Sequence, residues 1–143
     1  MLMGKFQNSI DAKARMIVPA RFREQLGYQC VLTLGIDRCL YIYPMEQWNA
    51  FIEKLSKLPM SDVNARAFVR HFHANAVQAE IDRQGRMTIP AELREYANIE
   101  KELVTVGNLD KIEIWSREEW DNKDNMTQLS PAEVSQKMIE YGI

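Results

Sequence analysis

Two segments of this chain carry the residue types that could do chemistry. "IDAKARMIVPARFRE" (residues 10–24) and "IDRQGRMTIPAELRE" (81–95) align without gaps, sharing Ile, Asp, Arg, Met, Pro, Ala, Arg and Glu in the same places. Each holds a carboxylate and a guanidinium at Asp-x-x-x-Arg spacing: Asp11 with Arg15, and Asp82 with Arg86. Three uses are open to such groups. Two carboxylates related by a duplication could share a proton and activate water. Here, however, each Asp has its own Arg to keep it ionised, and neither precedes the Thr/Ser-Gly pair of aspartic proteases. That hydrolase reading is set aside. An Asp can also accept from the backbone N–H groups of a turn and pair with the Arg that re-enters the next strand. An Arg can engage a phosphate or a guanine edge with its planar fork. The residues alone leave these last two uses open, because one Arg can serve both.

In a strand–loop–strand unit of this kind the middle residues project from the loop tip. Lys13 and Arg83, with Arg15 and Arg86, then form one exposed basic patch per copy, while Asp11, Asp82, Ala14 and Gly85 shape the loops. Other chemistry is poorly represented. The chain has no HExxH, GxSxG, Walker lysine loop or strand-linked GxGxxG, so no catalytic residue is assigned. His71 and His73 stand two apart on a predicted helix and point in different directions. Cys30 and Cys39 match no zinc spacing, and no metal or cofactor is expected.

Composition narrows the setting. With 143 residues, 46% hydrophobic and 27% charged, the chain is one compact domain or two very small ones sharing a core. No apolar run approaches the roughly 18 residues of a membrane span, and "MLMGKFQNSID" has no signal-peptide apolar region. A cytoplasmic location is expected, with the two cysteines as free thiols. The net charge of −2 and pI near 5.7 argue against indiscriminate nucleic-acid binding. The charge is uneven, however. Residues 1–30 hold Lys5, Lys13, Arg15, Arg21 and Arg23 against Asp11 and Glu24, whereas residues 113–143 carry seven acids and three bases.

The elements that must position the loops are duplicated as well. "VLTLGIDRCLYIYPMEQW" (31–48) aligns with "LVTVGNLDKIEIWSREEW" (103–120) through Thr33/Thr105, Gly35/Gly107, Ile42/Ile114, Glu46/Glu118 and Trp48/Trp120. Two copies are too few for a solenoid and suit a shared core about a pseudo-two-fold axis. Each unit predicts a strand before the Asp, a short strand after the Arg, and a helix with Pro19 or Pro90 at its first position. Phe22/Leu26 and Leu93/Ala97 form the apolar faces of those helices. Hairpins turning at "GIDR" and "GNLD" follow, the first placing Cys39 opposite Leu34. Then comes a helix, amphipathic through Trp48, Phe51, Ile52, Leu55 and Leu58 in copy one and opened by a Ser116–Glu119 capping box in copy two. Between the copies a connector helix, capped by Ser61, should turn Val63, Ala67 and Phe68 inward. A last helix, opened by Ser130, Pro131 and Glu133, offers Val134, Met138 and Tyr141 to a neighbour or hangs loosely. The expected division is repeat one at 3–58, connector at 59–74, repeat two at 75–122 and tail at 123–143.

Two copies of Asp-x-x-x-Arg-hydrophobic-x-[Ile/Val]-Pro, each with a "FRE/LRE" helix, a hairpin and a Trp-bearing helix, resemble the MraZ family. So do "YPMEQW" and "EIW", and the likeness spans roughly residues 3–122. The resemblance implies an α+β fold of two tandem SpoVT–AbrB-like β-rich repeats with short helices. It also implies a transcriptional regulator that binds direct repeats in double-stranded promoter DNA, typically of the division and cell-wall gene cluster. Such a regulator would act as a ring-shaped, octamer-like homo-oligomer associated with the nucleoid, without a membrane or a small-molecule substrate. Carried over residue by residue, DNA contact falls on Lys13, Arg15, Arg83 and Arg86. An AbrB-like protein-interaction module of antitoxin type is the alternative. One departure stands out: the family's loop often ends Gly-Arg in both copies, and copy one here has Ala14.

Overall fold

The computed structural model describes residues Met1–Ile143. Repeat one folds as β1 (Leu2–Ser9), β2 (Arg15–Ile17), α1 (Ala20–Leu26), β3 (Gln29–Leu34), β4 (Leu40–Pro44) and α2 (Met45–Ser56). The connector is α3 (Val63–Ala74). Repeat two folds as β5 (Val77–Glu80), β6 (Arg86–Thr88), α4 (Ala91–Tyr96), β7 (Glu102–Leu109), β8 (Lys111–Ser116) and α5 (Arg117–Asp121). A 3-10 turn at Lys123–Met126 leads to α6 (Pro131–Glu140).

The repeats are interlaced. One antiparallel six-stranded sheet runs β1-β7-β8-β4-β3-β5, so the first strand of each repeat pairs with the hairpin of the other. The central pair, β4 with β8, matches Leu40 to Ile114 and Ile42 to Ile112, as a pseudo-two-fold axis requires. The remaining short strands, β2 and β6, make a separate two-stranded ribbon with Met16 opposite Met87. Two cores hold the layers together. Met16, Val18, Phe22, Met87, Ile89 and Leu93, from the ribbon, α1, α4 and the residues between them, pack on one sheet face against Leu32, Leu40, Ile42, Ile112 and Ile114. On the other face Trp48, Leu55 and Phe72 from α2 and α3 cover Val31, Tyr41, Tyr43, Val104 and Trp115. Burial on both faces explains why "CVLTL" and "LYIY" are nearly unbroken apolar runs rather than alternating strands.

Several local expectations shift by a residue or a face. Pro19 and Pro90 are N-caps with extended ψ of 137° and 152°, not first helical residues. The carbonyl of each still accepts the helix's first bonds, such as Phe22 N–H to Pro19 and Leu93 N–H to Pro90. In the first hairpin Leu34 faces Leu40, because Gly35 N–H donates to the Cys39 carbonyl and the loop holds five residues. Cys30 and Cys39 lie in different cores as free thiols, and burial pushes the Cys30 thiol up to about 11. The second hairpin turns only at Leu109–Asp110, since pairing with β1 extends β7 through Gly107 and Asn108. This changes the alignment of the copies. Thr33 Oγ1 donates to the Phe72 carbonyl on the α3 side, whereas Thr105 Oγ1 donates to Asn8 Oδ1 on the ribbon side. Matching threonines in sequence therefore occupy opposite faces.

The connector is capped by Asp62, which accepts from Asn64 N–H, and not by Ser61. Its inward residues are Val69 and Phe72, while Val63 and Phe68 are exposed. Both stripes have helical spacing, and only the path of the chain into β5 decides between them. Ser116 does cap α5, accepting from Glu119 N–H, but the Glu119 carboxylate accepts from Asn98 Nδ2 instead of closing a capping box. The cap expected at Ser130 is present, as a complete capping box with Glu133, and the α6 that it opens buries no residue. No helix is long and apolar enough to cross a membrane.

Candidate nucleic-acid interface

The two Asp-x-x-x-Arg segments fold into the same loop. Asp11 Oδ1 accepts from the backbone N–H of Lys13 and of Arg15, each at 2.9 Å, and its Oδ2 accepts from Arg15 Nε at 2.9 Å. Asp82 repeats this with the N–H groups of Gln84 and Arg86 and with Arg86 Nε, again all at 2.9 Å. Main-chain bonds close each turn: Asp11 N–H to Arg15, Ala14 N–H to Asp11, Asp82 N–H to Arg86 and Gly85 N–H to Asp82. The last turn residue takes positive φ in both, 62° at Ala14 and 78° at Gly85. Ala14 therefore bears a strain of about 1 kcal/mol that a glycine would not. The Asx role and the Asp–Arg pairing expected from the residues are both present.

The Arg is not used up by its Asp. Only Nε of Arg15 and of Arg86 bonds the carboxylate; both terminal nitrogens of each guanidinium have no partner in the chain. The Arg side chains keep about a quarter of their surface exposed (26% and 28%). A staple that leaves two donors facing outward is also a pre-oriented donor pair.

The ribbon sets how the loops sit relative to each other. Val18 N–H donates to the Gly85 carbonyl and Ile89 N–H to the Ala14 carbonyl, so each loop is sewn to the strand end of the other repeat. Met16 and Met87 point into the core, which turns Arg15, Ile17, Arg86 and Thr88 to the outer face. Asn8 Nδ2 donates to the Ile17 carbonyl and ties the ribbon to β1. Lys13 and Arg83 stand exposed at the loop tips, so all four basic residues singled out in the sequence belong to one ribbon-and-loop surface. Asn8 had no sequence signal, since Ala79 stands at its place in the second copy. His71 Nε2 is engaged by the Gly35 carbonyl, and His73 Nδ1 by that of Val69.

Both loop carboxylates titrate below their ordinary 3.8, foremost because of the Arg15 and Arg86 backbone N–H bonds respectively. A depressed carboxylate stabilises the fold fully above 3.8 and loses that contribution as pH falls through the lower, folded value. The Arg15 and Arg86 amide resonances should therefore hold still from neutrality down to about pH 5 and shift only in stronger acid. A proton–nitrogen correlation titration in which they move near neutrality would contradict this.

The sequence profile described as "MraZ protein, putative antitoxin-like" matches twice, over residues 1–71 and 72–140. The chain is 48% identical to the transcriptional regulator MraZ of Thermoanaerobacter sp. (strain X514), over the full length of both. The protein of the same name from Clostridium tetani is also 48% identical over both full lengths, and that from Moorella thermoacetica 46%. With two tandem repeats and full-length likeness at this level, the chain belongs to the MraZ family.

Proposed function

We propose that this protein is a sequence-specific, double-stranded DNA-binding transcriptional regulator. It reads direct promoter repeats, those of the division and cell-wall gene cluster, through the loops Asp11–Arg15 and Asp82–Arg86. The observation that carries this reading is the pair of outward, unpartnered guanidinium ends that each loop holds in place. A B-DNA major groove is about 12 Å wide and admits a two-stranded β-ribbon. The β2–β6 pair is such a ribbon and carries a basic loop at either end. Lys13, Arg15, Arg83 and Arg86 make the contacts; Asp11, Asp82, Ala14 and Gly85 give the loops their shape. The protein acts as a ring-shaped, octamer-like homo-oligomer in the cytoplasm, on the nucleoid. A net charge of −2 is poorly suited to DNA in one chain, and linking several loop pairs multiplies affinity without new contacts. Within each chain, repeats 3–58 and 75–122 supply the loops, 59–74 joins them and 123–143 is an appended tail. The reading assigns no catalytic role, metal or cofactor.

The test is a gel-retardation titration on the duplex upstream of the protein's own coding sequence, repeated over a range of salt, with native mass measurement of the free protein. Binding with a log–log salt slope several times that of one loop pair is expected, since each neutralised phosphate adds about −0.9. No retardation at any salt would sink the reading. It would favour the antitoxin-type interaction module, whose supporting observation is the tail, with Ile139, Tyr141 and Ile143 exposed.

A further inference from the structure

The two loops match bond for bond, but the helices behind them do not treat them alike. Arg23 and Arg94 hold the same position, fourth in α1 and in α4, and each helix lies beside the other repeat's loop. Arg94 is turned inward, donating from Nε to the Ile89 carbonyl at 3.0 Å. Arg23 makes no such bond, and no carboxylate lies within ion-pair distance of it. Its guanidinium instead covers Gly85: Nη1 occupies the place where a side chain would stand. Gly85 is buried beneath it. On the first loop the corresponding space is taken by the Ala14 methyl, which is half-buried and packs on the core.

We propose that Arg23, seated across Gly85, is a further phosphate-contacting residue of the second loop, and that Ala14 denies Arg94 the equivalent seat on the first. The second loop then offers DNA three guanidinium groups (Arg23, Arg83 and Arg86), and the first offers Lys13 and Arg15. The two halves of the chain grip the duplex unequally. An unpaired, half-buried guanidinium held against the backbone of the second loop keeps its N–H donors free for a phosphate. The Gly85 seat is what brings it there. A β-carbon at residue 85 displaces only the end of a flexible side chain, so substitution there should evict Arg23 while leaving the turn, which Ala14 shows to tolerate a methyl.

The inference rests on the DNA reading above, and retardation over a salt series on the same upstream duplex separates the two. Arg23→Ala is expected to make the salt slope shallower by about one contact for each engaged chain. Gly85→Ala should do the same, and the double variant should lose no more than either alone. Arg23→Lys, which keeps the charge, should restore most of the slope. Ala14→Gly should steepen it, and Ala14→Gly/Arg94→Ala should lose that gain. Thermal unfolding of each variant confirms that it is folded. Wild-type protein that fails to bind overturns the DNA reading, and this inference with it. Wild-type binding with an unchanged slope in Arg23→Ala, or a gain in Ala14→Gly that survives loss of Arg94, overturns the Arg23 and Arg94 assignments alone.

Discussion

Replacing both Arg15 and Arg86 by alanine is expected to abolish retardation of the upstream duplex, and each single replacement to weaken it by about 10- to 100-fold. The magnitude follows from what is removed. A charge-assisted or bidentate contact is worth about 1–3 kcal/mol, and tenfold corresponds to about 1.4 kcal/mol. In a ring the loss recurs at every engaged chain, so the double variant falls below detection. The loops themselves should survive. Without the Arg15 side chain, Asp11 Oδ1 still accepts from the Lys13 and Arg15 amides, and the Asp11–Arg15 main-chain bond still closes the turn. The same holds for Asp82 and Arg86. Arg15→Lys separates the two uses of the residue: an ammonium keeps the phosphate contact but lacks the planar fork. It should retain the salt slope and lose preference for the specific duplex over a scrambled one. Folded alanine variants that bind with unchanged slope and preference would remove both arginines from the interface.

The loops were legible in the sequence because their logic is local. A carboxylate reaching the N–H groups two and four residues on, with an Arg to close the turn, is written within five residues, and the duplication writes it twice. The helix faces of Phe22/Leu26 and Leu93/Ala97, the Ser130 cap and the amphipathic α2 were legible for the same reason. Facts about partners were not. Nothing in "RMI" or "RMT" says that these three-residue strands pair with each other across the axis, and nothing in β1 marks β7 as its neighbour. The hairpins mislead most. Identity at Thr33/Thr105 and Gly35/Gly107 aligns the copies by sequence, yet strand pairing places the threonines on opposite faces. A one-residue slip inverts every side chain of a strand, and here the partners of β7 decide it. Arg23 was written in the repeat, among the matched residues of the opening segments, but its meaning depended on the last turn position, Ala14 in one loop and Gly85 in the other.

Phe22→Ala is expected to be the most damaging change to the fold near the interface, costing about 3–5 kcal/mol and lowering the melting temperature on the order of 10 °C. Phe22 has no exposed surface and meets the Phe6 ring edge-on at 5.2 Å, while the Arg21 guanidinium lies over the outer side of Phe6 at 5.8 Å. The helix that carries it, α1, is seven residues long and buries only Phe22 and Leu26. A helix that short has almost no stability of its own, so its docking rests on these two side chains. The cavity would open at the base of the element that presents Arg21 and Arg23, and binding should weaken along with stability. Phe22→Leu is the informative companion. Copy two uses Leu93 at this position, buried to 2% exposure, so a leucine suits the site in kind and falls short only in volume. It should cost no more than about 1.5 kcal/mol. Calorimetry at one fixed protein concentration reads both variants, since the proposed assembly would make the melting temperature concentration-dependent. If Phe22→Ala melts within a few degrees of wild type, something other than this side chain holds α1 in place, and the seat of Arg23 would have to be explained from the ribbon alone.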